Sequence, residues 1–336
     1  MPLNVLLTGG TGYIGSHSAL AVLAAGHRPI LLDDYSNSRP EVVARLSQIA
    51  GNSLTAVRGD VRDGTLLKSL FSSHDIDAVI HFAAKKSVAE SMARPASYYA
   101  NNIGGLLALI EAMDAAGVRN IVFSSSATVY GDPEALPIPE SHPVRAVNPY
   151  GETKVTCERL LASLAHRDDG WRVSLLRYFN PVGAHRSGLI GEEPQGMPTN
   201  LMPLLARVAL GLSPHLEIFG RDYPTADGTA VRDYIHVADL ADGHVAALTS
   251  LGQGDPLQIF NLGTGRGTSV LELVRAFEEA CGRPIPLVDA PRRPGDVAIL
   301  FADAAKAKQE LGWEAALGLP AMCADSWRFA AKQQTR

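Results

Sequence analysis

In the segment NPYGETK, Tyr150 and Lys154 stand four residues apart. Asn148 and Pro149 read as the cap and first turn of a helix, so the two side chains fall on one face. That spacing brings an ammonium near a phenol. A tyrosine ordinarily titrates near 10, so a phenol serving as a base near neutrality needs its pKa lowered by about three units, roughly 4 kcal/mol. One cation at about 4 Å in an effective dielectric of about 20 supplies energy of that order. The chemistry on offer is proton transfer to and from a substrate hydroxyl. Tyr-x-x-x-Lys also arises by chance on ordinary helices, so the pair needs context.

Part of that context is upstream, where a strand runs into Ser124, Ser125 and Ser126. Open α/β sheets place ligands at the carboxyl ends of their strands, and a hydroxyl there can share a substrate's hydrogen bonds with Tyr150. At the amino end, TGGTGYIG sets Gly9, Gly12 and Gly15 in a G-x-x-G-x-x-G pattern opening a helix over Tyr13 to Ala25, with Gly26 as its stop. Such glycines allow a tight turn and close approach of a pyrophosphate to the backbone, with the helix amino terminus facing the phosphates. The second strand ends in LLDD, where Asp33 can accept from both hydroxyls of an adenosine ribose. Its charge repels a 2′-phosphate, which favours NAD over NADP. Bound oxidised nicotinamide adds to the pull on the Tyr150 proton. Asp60, in RGDV, fits either an adenine amino group or a loop cap.

Strands and helices must alternate to hold these residues. Short apolar runs recur at Val5 to Leu7, Ile30 to Leu32, Leu54 to Val57, Ala78 to Phe82, Ile121 to Phe123 and Val173 to Leu176. The expected fold is α/β, a Rossmann-type doubly wound parallel sheet with a smaller mixed α/β substrate domain. Residues 1–180 are assigned to the NAD-binding domain and 181–336 to the substrate domain, where segments such as EEPQGMPTNLMP and FGRDYPTADG imply long loops. Gln258 to Leu262 reads as another buried strand, so 237–264 is expected to rejoin the first domain.

The bulk composition narrows the class. The 336 residues are 46% hydrophobic and 19% charged, ordinary for a chain with a large core, and the formal charge of −5 carries no dense basic run for nucleic acid. Three cysteines cannot all pair, and a reducing cytoplasm is expected. MPLNVLLTGG offers no export signal, and no apolar run reaches the roughly 18 residues of a membrane span. Neither C-x-x-C nor H-E-x-x-H occurs, so no metal is expected.

Taken together, GGTGYIGSH, SSSATVYGD, PYG-x-x-K, LLRYFNPVGAH, PQG-x-P-x-NLMP and VRDYIHV-x-DLADGHV resemble the UDP-glucose 4-epimerase family of the extended short-chain dehydrogenase/reductases, from Val5 to about Ala302. The resemblance implies that Tyr150 is the general base and acid, that Lys154 lowers its pKa and holds the nicotinamide ribose, and that Ser126 bonds the sugar's 4-hydroxyl. It also sets Tyr13, Ile14, Asp33, Asn37, Ser38, Asp60, Val61, Phe82, Ala83, Ala84, Lys86, Asn101, Ser124 and Phe179 around NAD. Without it, Phe82 and Phe179 pass as core aromatics and Asn101 as a polar helix residue. For a UDP-hexose, it implies Arg232 and Arg293 at the pyrophosphate and Asp296 at the uridine ribose. Asn180, Asn200 and Leu201 join the nucleotide pocket, with Glu217, Ile218 and Phe219 beside uracil. The residues alone fit surface salt bridges for both arginines.

The implied reaction oxidises carbon 4 and returns hydride to the opposite face of the keto sugar, interconverting UDP-glucose and UDP-galactose with NAD retained. UDP must then be anchored and the hexose left free to turn. Two departures stand out: Ala84 and Lys85 replace a more usual Gly and apolar residue, and Leu300 stands where some relatives carry tyrosine. The smaller Leu300 is expected to leave room for a 2-acetamido group. A related 4,6-dehydratase needs an acid beside the active hydroxyl, where this chain has Ala127 and Thr128. UDP-glucuronate epimerisation and non-catalytic NAD sensing are the other rivals. The apolar faces of Tyr99 to Met113 and Tyr150 to Ala165 fit a homodimer, as in relatives, or packing within one subunit.

Overall fold

The computed structural model describes residues 1–167, 169–293 and 295–334. The chain begins with β1 (Asn4–Thr8), α1 (Tyr13–Ala24), β2 (Arg28–Asp33), α2 (Glu41–Ala50), β3 (Thr55–Arg58), α3 (Gly64–Ser73) and β4 (Ala78–His81). It continues through α4 (Val88–Ala93), α5 (Pro95–Tyr98), a π-turn over Tyr99–Ile103, α6 (Gly104–Ala115), β5 (Asn120–Ser126), a 3-10 turn over Ala127–Tyr130, α7 (Pro149–Ala165) and β6 (Arg172–Tyr178). Next come β7 (Asn180–Val182), α8 (Leu201–Ala209), β8 (Leu216–Phe219), β9 (Val231–Arg232), β10 (Tyr234–His236), α9 (Val237–Ser250) and β11 (Leu257–Leu262). The last elements are β12 (Thr268–Ser269), α10 (Val270–Cys281), β13 (Leu287–Ala290), β14 (Ile299–Leu300), α11 (Ala305–Leu311) and α12 (Leu319–Gln334).

Seven strands form one sheet in the order β11-β6-β5-β4-β1-β2-β3, all parallel. This is the Rossmann-type doubly wound arrangement. Alternate side chains of a strand point to opposite faces, and here both faces are covered, so the strands read as nearly unbroken apolar runs. Leu6, Val79, Ile121, Phe123 and Val173 pack on one face against Leu67, Leu106, Leu109, Met113 and Leu161 of α3, α6 and α7. Val5, Leu7, Ile80, Val122 and Leu176 pack on the other against Ala19, Val22, Leu46, Leu240 and Ala247 of α1, α2 and α9.

The chain leaves this sheet after β6 and returns to it with β11, whose Leu257–Leu262 registers with Val173–Tyr178. A separate apolar core gathers α8, α10 and α12 around Met202, Leu205, Leu273, Phe277, Met322 and Cys323. Short strand pairs edge this second unit: β13 beside β8, and β9 between β12 and β14. No helix among the described residues is long and apolar enough to cross a membrane.

Candidate active site

At the start of α7 the Asn148 side chain accepts from the Gly151 N–H at 2.9 Å, and Pro149 occupies the first turn. This cap places Tyr150 and Lys154 on the buried face of the helix, 8% and 3% exposed. Lys154 Nζ donates to the Ser124 carbonyl oxygen at 2.6 Å and lies 4.8 Å from the centroid of Phe123. Burial pulls this ammonium down to about 8, opposed by Cys157 and Glu158. The Tyr150 phenol is pushed up to about 12 by burial, with a hydrogen bond from Ser126 acting the other way. The lowering of Tyr150 expected from Lys154 is therefore not a property of the polypeptide by itself. Desolvation outweighs it, because a buried phenolate gives up its water.

Around this pair, Ser126 Oγ accepts from Thr128 N at 3.3 Å and from Thr128 Oγ1 at 3.0 Å, capping the 3-10 turn. Ser124 Oγ shares a short hydrogen bond with the Tyr178 phenol. His81, buried beside Phe123, bonds Thr8 Oγ1 at 2.7 Å through Nδ1 and is held down to about 3 by burial, then by Lys154. Three strand ends, those of β4, β5 and β6, thus converge on α7.

The glycine-rich turn lies at the carboxyl end of β1. Gly9 has φ +69°, and a Cβ there meets the Ala83 nitrogen at 2.8 Å; a Cβ on Gly15 meets the Gly9 carbonyl oxygen at 2.3 Å. Side chains are thus excluded where a pyrophosphate needs close approach. Gly12 is the N-cap of α1 with no side-chain cap, which leaves first-turn N–H groups for a phosphate. Asp33 ends β2, only 8% exposed. Its Oδ2 accepts from Thr11 N at 3.1 Å, and its Oδ1 from Tyr35 N and Ser38 Oγ at 2.9 Å each. A carboxylate has about four acceptor positions, so one remains, on Oδ2, for a ribose hydroxyl. For Asp33 to take both ribose hydroxyls, as expected, Ser38 has to turn away from Oδ1. The turn, the open helix end and the acid fit a dinucleotide such as NAD.

Other residues expected on the cofactor side are variously placed. Asp60 accepts from Arg62 through both oxygens, and these bonds hold its carboxyl below the usual range, so its carboxylate is committed within its own loop. Val61 is buried against α6, and Ile14 packs on the α1 side of the sheet. Tyr13 donates to the Gly183 carbonyl at 2.7 Å. Phe82 lies 4.8 Å from the His244 ring, and Ala83 N donates to Thr8 Oγ1 at 3.4 Å, with Ala84 half-buried behind it. Lys85 turns its ammonium to Ser97, 2.7 Å away, while Lys86 pairs with Glu192 at 3.2 Å. Asn37 is exposed, Asn101 sits half-buried in the π-turn, and Phe179 is buried with Leu300 packed on the same cluster.

On the nucleotide side, Arg293 stacks over Phe219 at 3.8 Å. Arg232 registers opposite Leu300 across β9 and β14. Asp296 N bonds the Arg293 carbonyl at 3.2 Å. Asn180 N donates to Asp233 O at 2.9 Å. Asn200 precedes α8 but spends its amide on Glu192 at 2.5 Å, leaving the helix start at Leu201 without a side-chain cap. Glu217 is exposed, whereas Ile218 is 1% exposed and turned into the second core. Ile218 can meet a base only through its backbone, because successive side chains of a strand alternate.

Several residues of the site carry no sequence signal. Tyr178 and His81 look like core residues until the strand ends are assembled. Asn102 ties the π-turn to α7, donating to Lys85 O at 3.1 Å and Thr153 Oγ1 at 2.9 Å. Tyr223 has a buried hydroxyl without a hydrogen-bond partner among the described residues, under the influence of Asp296 and Arg232. The π-turn itself, a form concentrated at functional sites, is not readable from YANNI.

A doubly wound sheet with a phenol and a lysine one helical turn apart at its carboxyl edge, beside a glycine-rich dinucleotide turn, defines the short-chain dehydrogenase/reductase class. The GDP-mannose 4,6 dehydratase family model matches residues 6–326. UDP-glucose 4-epimerase of Bacillus subtilis (strain 168) is 54% identical over 327 residues, 97% of this chain and 96% of its own. The crystal structure of UDP-glucose-4-epimerase from Stenotrophomonas maltophila, with bound NAD and formylated UDP-arabinopyranose, is 50% identical with a TM-score of 0.97, covering 99% of each chain. That of the Bifidobacterium longum enzyme, with NAD+ and UDP, is 48% identical with a TM-score of 0.95, covering 98% of this chain and 99% of that one. The chain belongs to the UDP-glucose 4-epimerase family.

Proposed function

We propose that this protein interconverts UDP-glucose and UDP-galactose by transient oxidation at carbon 4, with NAD as its cofactor. The observation that carries this reading is the meeting of Tyr150, Ser126 and Lys154 at the carboxyl ends of β5 and β6, in a chain of this family matched over nearly its whole length. Bound NAD would accept and return the hydride, and its oxidised form would add positive charge to the site. Tyr150 takes the 4-hydroxyl proton and gives it back. Ser126, which already acts on the Tyr150 phenol, orders that hydroxyl. Lys154, fixed on the Ser124 carbonyl, holds a cation below the phenol.

Gly9, Gly12, Gly15 and Asp33 are assigned to NAD, within a unit of residues 1–180 and 237–264. Residues 181–236 and 265–336 are assigned to the UDP-sugar, with Arg232, Arg293 and Asp296 at the nucleotide. The second unit anchors UDP, and the hexose turns between two faces while NAD stays in place. The enzyme is thus an isomerase of galactose metabolism in the cytoplasm, a placement supported by three free thiols. A homodimer is supported by Met92, Tyr99 and Leu107, 62%, 42% and 44% exposed beside α6 and α7.

Leu300, packed with Phe179 near the sugar, favours a second substrate bearing a 2-acetamido group. Purified protein incubated without added NAD, separately with UDP-glucose, UDP-N-acetylglucosamine and UDP-glucuronate, is expected to yield UDP-galactose from the first and the 4-epimer from the second. A protein that leaves UDP-glucose unchanged even with NAD supplied is not this enzyme.

A further inference from the structure

Glu158 lies one turn beyond Lys154 and two beyond Tyr150, on the buried side of α7. Its carboxylate receives Arg177 at two points, Nε to Oε1 at 3.0 Å and Nη2 to Oε2 at 2.6 Å, and Ser125 Oγ at 2.5 Å. The two side chains are 7% and 4% exposed. Arg177 Nη1 continues to the Tyr130 phenol oxygen at 3.2 Å and the Glu140 carbonyl at 3.1 Å. Tyr130 in turn donates to Asn261 Oδ1 at 2.6 Å, and the Asn261 amide donates to the Ile138 carbonyl at 2.8 Å. One ion pair therefore joins the helix of Tyr150 and Lys154, the strand of Ser124 and Ser126, the strand of Tyr178, and the turn that follows Ser126.

We propose that the Glu158–Arg177 pair is a positioning device for epimerisation, locking α7 against the ends of β5 and β6 and setting the charge felt by Lys154. This rests on the roles assigned above to Tyr150 and Lys154. Stability alone gives a weak reason for such a pair, since well-packed apolar residues often replace one without loss. Its placement gives a stronger one. Arg177 and Ser125 are each the neighbour in sequence of a residue lining the site, Tyr178 and Ser126, so a shift of α7 relative to either strand breaks a bond to Glu158.

The electrostatics point the same way. The groups around Lys154 are Cys157 and Glu158 on its own helix, with Tyr150 one turn before, His81 on β4 and the Ser124 carbonyl on β5, while Arg177 and Tyr178 on β6 reach it through Glu158 and Ser124. Burial pushes the Cys157 thiol up to about 11 and the Tyr150 phenol to about 12, raises Tyr178 further, and holds His81 down to about 3, so all four are neutral near pH 7. Glu158 is the one negative charge among them, and it supports the ammonium; Arg177 is bound to it.

The test compares wild type with Glu158→Gln and Glu158→Asp for kcat and KM on UDP-glucose across the alkaline range, with folding checked by circular dichroism and bound NAD by absorbance. Removing the negative charge favours the neutral amine. Glu158→Gln is therefore expected to move the alkaline limb of kcat to lower pH by about one unit, which lowers kcat about twofold near pH 7 and about tenfold above the limb, with KM changed less than about twofold. Glu158→Asp should restore the limb. Should the single variant not fold, Glu158→Leu combined with Arg177→Met, which leaves no unpaired charge, is measured in its place, and the same direction of shift is expected. A folded, NAD-loaded variant with the wild-type alkaline limb and kcat overturns the positioning role. A wild type without epimerase activity overturns the assignment of Tyr150 and Lys154 on which it rests.

Discussion

The ammonium of Lys154 is bonded to the carbonyl oxygen of Ser124, at 2.6 Å, on the same strand whose final residue, Ser126, draws the phenol of Tyr150 down against the effect of burial. Helix α7 thus meets the end of β5 at two points, a main-chain oxygen and a hydroxyl two residues on. The geometry explains how lysine and tyrosine on one helical face act as a unit without a direct bond: each is indexed to the same strand.

Loss of the phenol is expected to abolish proton transfer while sparing the scaffold. Tyr150→Phe should fold, keep NAD and lower kcat by about 10² to 10⁴, the range for a positioned acid–base group. The wild-type alkaline limb follows Lys154, which burial holds near 8: below that value the ammonium is present, and above it the neutral amine no longer favours phenolate. Activity is therefore expected to fall as pH rises through about 8 to 9, and initial rates of UDP-galactose formation across that range check it. Full activity in Tyr150→Phe removes Tyr150 from the chemistry.

Asp33 is expected to discriminate between cofactors by charge. With three acceptor positions taken by Thr11, Tyr35 and Ser38, one remains for the ribose of the proposed NAD. Asp33→Ala gives up one charge-assisted hydrogen bond, worth about 1.5–3 kcal/mol, or roughly 10- to 100-fold in NAD affinity. It also lifts the repulsion of a 2′-phosphate, so the ratio of NAD to NADP affinity should fall. Fluorescence titration of apoprotein with each nucleotide measures both, and an unchanged ratio refutes the assignment.

What the amino-acid sequence discloses of this site depends on the range of the interaction. The Asn148 cap, the glycine turn and the alternation of strands are local or periodic, and each is readable from neighbouring residues. So is the return of Gln258 to Leu262 to the sheet, because a strand covered on both faces is apolar throughout. The acidity of Tyr150 in the polypeptide alone is not readable, since it depends on desolvation by segments far along the chain. Nor is the joining of Gln195 to Tyr35 across 160 positions.

Three buried histidines make the fold sensitive to acid. Burial holds His17 and His81 down to about 3 and His244 to about 4. Unfolded, each binds a proton near 6.5, so the unfolded state takes up more protons as pH falls below that value and stability declines until the folded values are reached. At about pH 5 the cost is roughly 2 kcal/mol for each histidine, large against a typical total of about 5–15 kcal/mol. Urea midpoints should fall between neutrality and about pH 5, and less steeply in His244→Leu. Parallel declines in the two proteins exclude His244 as a source.

The segment 192–195 joins the two units beside the cofactor site. Glu193 accepts from Arg39 at 3.1 Å and Arg45 at 3.0 Å, and the Gln195 amide donates to the carbonyls of Tyr35 and Ser38 at 3.1 and 2.8 Å. Those partners belong to or follow the loop that begins at Asp33. With NAD held at Asp33 as proposed, these bonds to the loop are expected to slow its release. The ion pairs, partly exposed, contribute about 0–1 kcal/mol each. The two amide bonds contribute about 0.5–1.5 kcal/mol each. Glu193→Ala combined with Gln195→Ala is therefore expected to speed NAD loss by roughly 10- to 100-fold. Gel-filtered variant should carry less NAD than wild type and regain its rate when NAD is added; equal retention in the two proteins means that the loop opens without passing through these bonds.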